Sequence, residues 1–387
     1  MTLLLIIIYI IFISLGLPDS LLGTAWPVMY KSFNVDISFA SVLSTITLFT
    51  TSAVSFISGK YIRKFGTFKL TFCSIILTIV GIIGIALSHS MGIAILFFII
   101  LGAGGGAIDA ALNAYISKYF SAKHMNWLHA FWGVGVTVSP LVLSVFLNDG
   151  RWRSGYLAIA CLQTAILLFV FIKRRQWDII KEDFSLSKKA EQKSRMEIIR
   201  HKGVRTSIVA AGCYSAVEFT LGTWAASYLV FNVHLEPAEA AAWVSLYYAG
   251  IMVGRILAGF ISTKLSDKQL VFGGTILSMF GIVLLMFPWH IAIIAGLFIT
   301  GLGYGPIYPA QIHGIPTYFG IEYSADIIGF HMGGAYTMGF IAQVILGFIA
   351  SRIGFFILPY FLLVFCILLI FSSKLLFVKL RANGKQV

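Results

Sequence analysis

The chain has 387 residues, 59% of them hydrophobic and only 11% charged, with a mean hydropathy of +0.92. That composition lies outside the range of soluble globular domains and excludes a water-soluble enzyme. The formal net charge of +13 does not point to a nucleic-acid partner, because the basic residues fall in short connections between apolar stretches, where the positive-inside rule expects them.

Apolar runs of about 20 residues, the length that crosses a hydrocarbon core about 30 Å thick, recur twelve times. The predicted spans are 3–29, 37–58, 68–88, 92–117, 127–147 and 155–172, then 206–231, 238–262, 270–287, 291–317, 325–351 and 355–377. The polar, basic stretch 173–205 between the sixth and seventh predicts a cytoplasmic linker with a short amphipathic helix on the membrane surface. The expected fold is therefore an all-α integral membrane protein: a six-helix bundle over 1–172, the linker, and a second six-helix bundle with a short tail over 206–387. The apolar N-terminus lacks a charged leader and a cleavage site, so it reads as the first span and not as a removed signal peptide.

Orientation follows from lysine and arginine. The connection after the second span holds Lys60, Arg63, Lys64 and Lys69, the one after the fourth Lys118 and Lys123, and the one after the eighth Lys264 and Lys268. These share a face with the linker and the C-terminal tail, which puts both termini on the cytoplasmic side of the cell membrane. Arg151 and Arg153, beside Asp149 on the opposite face, are expected to contact lipid headgroups. The four cysteines lie inside apolar spans without paired spacing, so neither a metal cage nor a disulfide framework is expected.

The first span carries an acid, Asp19, in LGLPDSLLGTAWP. A charge at the centre of a membrane helix costs about 2.5 to 3.5 kcal/mol by insertion scales, so it is retained facing a polar interior, for a task. Pro18 just before it predicts a kink. The pattern returns 199 residues later: Glu218 precedes Gly222, Thr223 and Trp224 as Asp19 precedes Gly23, Thr24 and Trp26. The same offset relates Gly102, Gly104 and Gly106 to Gly301, Gly303 and Gly305, and Phe131 and Gly135 to Phe330 and Gly334. Two parallel halves, related by an axis along the membrane normal, place a substrate site near the midplane between them. The glycines also have a packing role, since small residues at this spacing let helices approach closely.

Asp109 and Asn113, four apart, share one face of the fourth span. The position equivalent to Asp109 is Tyr308, close to Gln311 and His313, so the halves have diverged. Such asymmetry suits a polar solute bound through amides and a phenol, namely Asn113, Tyr308, Gln311 and Gln343, with Trp26 and Trp224 as surfaces for a pyranose ring. His129 is expected near the membrane surface and His331 deeper. Arg255, near the end of the eighth span, is expected at the intracellular gate or as a helix-end anchor. No Walker sequence, zinc-protease pair or nucleophile elbow occurs in a supporting context, so no enzyme is expected.

The twelve-span, two-half outline resembles the major facilitator superfamily. GLPDSLLGTAWP, GAGGGAIDAALN, LHAFWGVGV and GLGYGPIYPAQIHG resemble its fucose permease-like branch of sugar–proton symporters. In that branch an acid in the first helix and one in the fourth serve proton coupling and sugar recognition, which the resemblance implies for Asp19 and Asp109. The superfamily's cytoplasmic signature G-x-x-x-D-R-x-G-R-K reads here Gly59-Lys-Tyr-Ile-Arg63-Lys64-Phe-Gly66, with Arg63 in the aspartate's place. Arg63 joins Arg255 as a gating candidate. The glycine–proline antiporter signature is absent from the fifth span, where Ser139-Pro140 is followed by Leu143-Ser144.

The resulting expectation is a monomeric, proton-coupled symporter of a small neutral solute, a monosaccharide, working by alternating access. Asp19, Asp109 and Glu218 are its proton-coupling candidates, and it requires no cofactor beyond the coupling ion. Membrane lipid is the other partner, and nucleic acid is not one. The alternatives are a proton-coupled multidrug or metabolite exporter of the same fold and a non-transporting receptor.

Overall fold

The computed structural model of the protein describes residues 2–120, 122–180, 199–262 and 264–381, apart from the side chains of a few positions, Arg63 and 321–326 among them. Of the predicted linker at 173–205, residues 181–198 lie outside the described residues.

The helices of the first half are α1 (Thr2–Asp19), α2 (Leu21–Ser32), α3 (Phe39–Phe65), α4 (Thr67–Leu87), α5 (Met91–Tyr119), α6 (Ala122–Leu147) and α7 (Trp152–Ile172). Those of the second half are α8 (Val204–Phe231), α9 (Pro237–Ile261), α10 (Asp267–Leu284), α11 (His290–Tyr304), α12 (Ile307–Phe319), α13 (Ile321–Ile353) and α14 (Leu358–Arg381). Among the described residues these form twelve spans, because α1 and α2 together make the first and α11 and α12 the tenth. Ten are long and apolar enough throughout to cross a membrane, and α3 and α8 complete the set. The protein is a multi-pass membrane protein. Phe49, Val145 and Ile291 are 71%, 71% and 78% exposed, outward-facing apolar side chains that hydrocarbon accommodates and water would not.

Two spans are broken where the backbone loses donors. Pro18 removes an N–H and its ring opposes the carbonyl one turn back, and the helix ends at Asp19 and restarts after Ser20. In the tenth span Gly305 and Pro306 separate α11 from α12, with Pro306 pre-set in a helical φ at the new start. Beyond α7 a 3-10 turn, Arg174–Ile179, buries Trp177 against Phe68 and Tyr115, with ring centroids 5.7 and 5.4 Å away.

The chain divides into two compact units, Met1–Lys189 with Ala225–Ser245, and Ala190–Trp224 with Leu246–Val387. In the first, α3 and α4 pack on α5, and α1 on α6. In the second, α10 packs on α11 and α12 on α13. The 199-residue repeat is visible as packing within each unit. A methyl group added at Gly102 would meet the Thr47 carbonyl oxygen of α3 at 2.5 Å, and one at Gly104 the Ser74 oxygen of α4 at 2.8 Å. Gly106 faces the Thr51 carbonyl in the same way. In the other unit Gly301 faces the Tyr247 carbonyl and Gly303 that of Gly274, and a methyl at Gly305 would meet the Ile251 oxygen at 2.7 Å. Each glycine thus meets the equivalent backbone of its own half. Close packing of carbonyl against Cα supplies van der Waals contact where lipid offers no hydrophobic drive between helices.

Candidate functional site

In the first unit the acid site is built by close approach of α1 and α6. Gly16 and Gly135 let the two backbones meet: a methyl on either would strike a carbonyl oxygen of the other helix, that of Trp132 or of Ile13. One turn beyond Gly16, Ser20 Oγ donates to the Val136 carbonyl at 3.1 Å. Beside it Trp132 Nε1 donates to Asp19 Oδ2 at 2.7 Å. Asp19 itself is exposed, while its neighbours Pro18 and Ser20 are buried. The acid stands at the helix break with its side chain accessible.

On α5, Asn113 Nδ2 donates to Asp109 Oδ1 at 2.8 Å and to the Asp109 carbonyl at 2.9 Å. The predicted shared face is therefore a formed amide–carboxylate pair, and both residues are half-buried. One amide group supplies both contacts, which leaves Asp109 Oδ2 and Asn113 Oδ1 as acceptors for donors from elsewhere.

In the second unit Glu218 of α8 and Arg255 of α9 form an ion pair, Oε1 to Nη2 3.5 Å, with side chains 15% and 9% exposed. Arg255, expected at the intracellular gate or as a helix-end anchor, thus has a carboxylate of the same unit as a partner. A half-buried cation without that carboxylate would carry an uncompensated desolvation penalty. Aromatic rings enclose the pair's surroundings. Tyr214 lies one turn from Glu218 and stacks on Tyr304 and Tyr308, with centroids 5.1 and 5.6 Å apart, and Tyr247 packs on Tyr248 at 5.1 Å.

Three predicted substrate contacts are tied up in packing. Trp26 is fully buried and its indole N–H donates to the Ile37 carbonyl at 2.6 Å. Trp224 is equally buried, donates to the Gln343 carbonyl at 3.0 Å, and is covered by Phe355 and Gly347. Gln343 Oε1 accepts from Thr223 Oγ1 at 2.6 Å. These are corrections to the sequence expectation: neither tryptophan presents an open face to a ring, and the Gln343 amide clamps α13 to α8. Gln311 and His331 line a small cavity of about 20 Å³ with Ser207 and Tyr318, room for about one water. Tyr308 is half-buried, 6.4 Å from His331. His313 is exposed and lies 3.0 Å from Asp267, and His129 packs edge-on to Phe12. The side chain of Arg63 lies outside the described residues. Trp132, 113 residues from the acid it contacts, is the residue that sequence reasoning did not single out; it stands inside the LHAFWGVGV motif.

The sequence model described as Major Facilitator Superfamily matches residues 8–231 and again 207–386. The chain belongs to that superfamily. It is a membrane transporter and not an enzyme. Among relatives, it is 26% identical over 338 residues to the cis,cis-muconate transport protein of Acinetobacter baylyi, covering 82% of this chain and 80% of that one. It is 22% identical over 319 residues to the glucose/mannose transporter GlcP of Bacillus subtilis, covering 79% and 77%. Its fold is similar to that of a bacterial homologue of the human lysosomal transporter Spinster, solved in an inward-facing and unoccupied conformation, with a TM-score of 0.76 over 100% of this chain and 98% of that one, at 12% identity.

Proposed function

We propose that this transporter is a proton-coupled symporter of a monosaccharide, in the manner of the fucose permease-like branch. The observation that carries the reading is the dressing of its acids. Asp19 is held by an indole N–H and Asp109 by an amide, both neutral donors, while Glu218 faces a cation. A carboxyl can keep an N–H donor of this kind in either protonation state, and passage between a water-filled and a dry surrounding drives the exchange of its proton. Asp109 Oδ2 and Asn113 Oδ1 are acceptors suited to the hydroxyl donors of a sugar. The similarity to a glucose/mannose transporter supports the same substrate class. In this reading the working protein is a monomer, both termini and the linker are cytoplasmic, and the proton is the sole coupling ion.

A second reading, transport of an organic dicarboxylate, is favoured by Arg255 and by the similarity to a cis,cis-muconate transporter. Protonation of Glu218 would release Arg255 to pair with a substrate carboxylate.

Reconstitution in proteoliposomes with an acidic exterior separates the two. Accumulation of labelled glucose or mannose, abolished by a protonophore, is the expected result. Accumulation of cis,cis-muconate with no monosaccharide uptake would replace the first reading with the second.

A further inference from the structure

Where α8 begins and α14 ends, the second unit holds a cavity of about 290 Å³ lined by Arg200, His201, Lys202, Gly203, Arg205, Thr206 and Lys379. Among the described residues that line it, none is acidic. Four permanent cations on one concave wall repel one another, and an oxyanion relieves that repulsion. The wall is built and not merely crowded. Lys379 Nζ donates to Thr206 Oγ1 at 2.9 Å, which fixes the end of α14 against the first turn of α8. Gly203 turns the chain with φ +97° and packs beneath against Leu376 and Phe319. The first turn of α8 adds the partial positive charge of its N–H groups on the same side.

We propose that this cavity binds the phosphate of an anionic phospholipid. The choice of lipid over free phosphate comes from α14. Phe371, Leu375 and Val378 are 66%, 39% and 56% exposed and fall at i, i+4 and i+7, one stripe that ends at Lys379. An acyl chain lying on that stripe has its headgroup at the cavity. The residues that line it include none of the acids of the transport reading.

The test is native mass spectrometry of the full chain in detergent, titrated with phosphatidylglycerol, phosphatidylcholine or inorganic phosphate. Phosphatidylglycerol is expected to bind about tenfold or more tighter than phosphatidylcholine. Arg205→Gln with Lys379→Gln should remove that preference by about tenfold to thirtyfold, at the scale of about 1 kcal/mol per basic residue. Arg200→Gln with Lys202→Gln, at two exposed positions, should weaken it similarly, and covers the case in which the first pair fails to fold. Arg205→Lys with Lys379→Arg should keep it, as should Arg352→Gln, which lies outside the cavity. Equal binding of the two lipids, or a preference unchanged in both glutamine pairs, would overturn the proposal. Binding of inorganic phosphate that displaces phosphatidylglycerol would assign the cavity to a soluble phosphate instead and overturn the lipid assignment.

Discussion

Trp132 of α6 and Asp19 of α1 are joined by an indole N–H to carboxylate hydrogen bond of 2.7 Å at the point where the first span breaks. It gives an exposed carboxylate a fixed orientation. Trp132→Phe keeps the aromatic body and deletes the donor. A hydrogen bond to a charged group contributes about 1.5 to 3 kcal/mol, and partial exposure of this one lowers that. Proton-driven uptake is expected to fall about threefold to tenfold while the melting temperature stays close to wild type. Uptake equal to wild type would show that the bond does not orient a working acid.

The ion pair of the second half makes a sharper statement about stability. Arg255→Gln leaves Glu218 half-buried beside aromatic rings with no countercharge, at a cost of about 3 to 5 kcal/mol. The double variant Glu218→Gln with Arg255→Gln removes both charges and should recover most of that loss in a thermal melt. If the double variant is no more stable than Arg255→Gln alone, the two side chains are not energetically coupled.

Neighbouring glycines on α5 should behave in opposite ways. A methyl at position 104 meets the Ser74 oxygen at 2.8 Å and the Thr78 nitrogen at 2.9 Å, whereas one at position 105 meets only Leu15 Cδ1, at 3.8 Å. Gly104→Ala is therefore expected to destabilise by about 1 to 3 kcal/mol through overpacking. Gly105→Ala should be neutral, or stabilise by up to about 1 kcal/mol through helix propensity. Melting temperatures of the two variants, measured side by side, decide it. Equal loss in both would mean that the glycines serve something other than the α4–α5 contact.

Orientation is tested by labelling single cysteines in a background without the native four. A cysteine at Ser187, in the linker, should be shielded from an impermeant maleimide in intact cells, and one at Glu236 should react. The reverse pattern would invert the assignment of faces that rests on the distribution of lysine and arginine.

Much of the fold is legible in the sequence because the bilayer imposes a fixed length on every span and leaves basic residues in the connections. The glycine offset is legible for a similar reason: only glycine admits a carbonyl at Gly106 or Gly301, so the repeat survives where other residues have diverged. Pro18 announced a kink, yet the end of the helix at Asp19 depends also on Ser20 reaching the Val136 carbonyl. That partner lies 116 residues away. The Trp132–Asp19 and Arg255–Glu218 pairs were hidden because each joins different helices, and no periodicity within one helix reports on another. Trp26 and Trp224 were misread for the opposite reason. Aromatic residues near an acid in an apolar span look alike in sequence whether they face a substrate or, as here, spend their N–H groups on the Ile37 and Gln343 carbonyls.

The central claim is that a titrating acid couples substrate movement to protons, and Asp19→Asn tests it most directly. The amide keeps the shape of the carboxyl and can still accept from Trp132, but it cannot carry a proton. In proteoliposomes loaded with unlabelled monosaccharide, the account predicts that this variant exchanges labelled for unlabelled substrate at nearly the wild-type rate and fails to accumulate substrate under an imposed proton gradient. Accumulation by Asp19→Asn, with Asp109→Asn and Glu218→Gln also still concentrating substrate against its gradient, would contradict it.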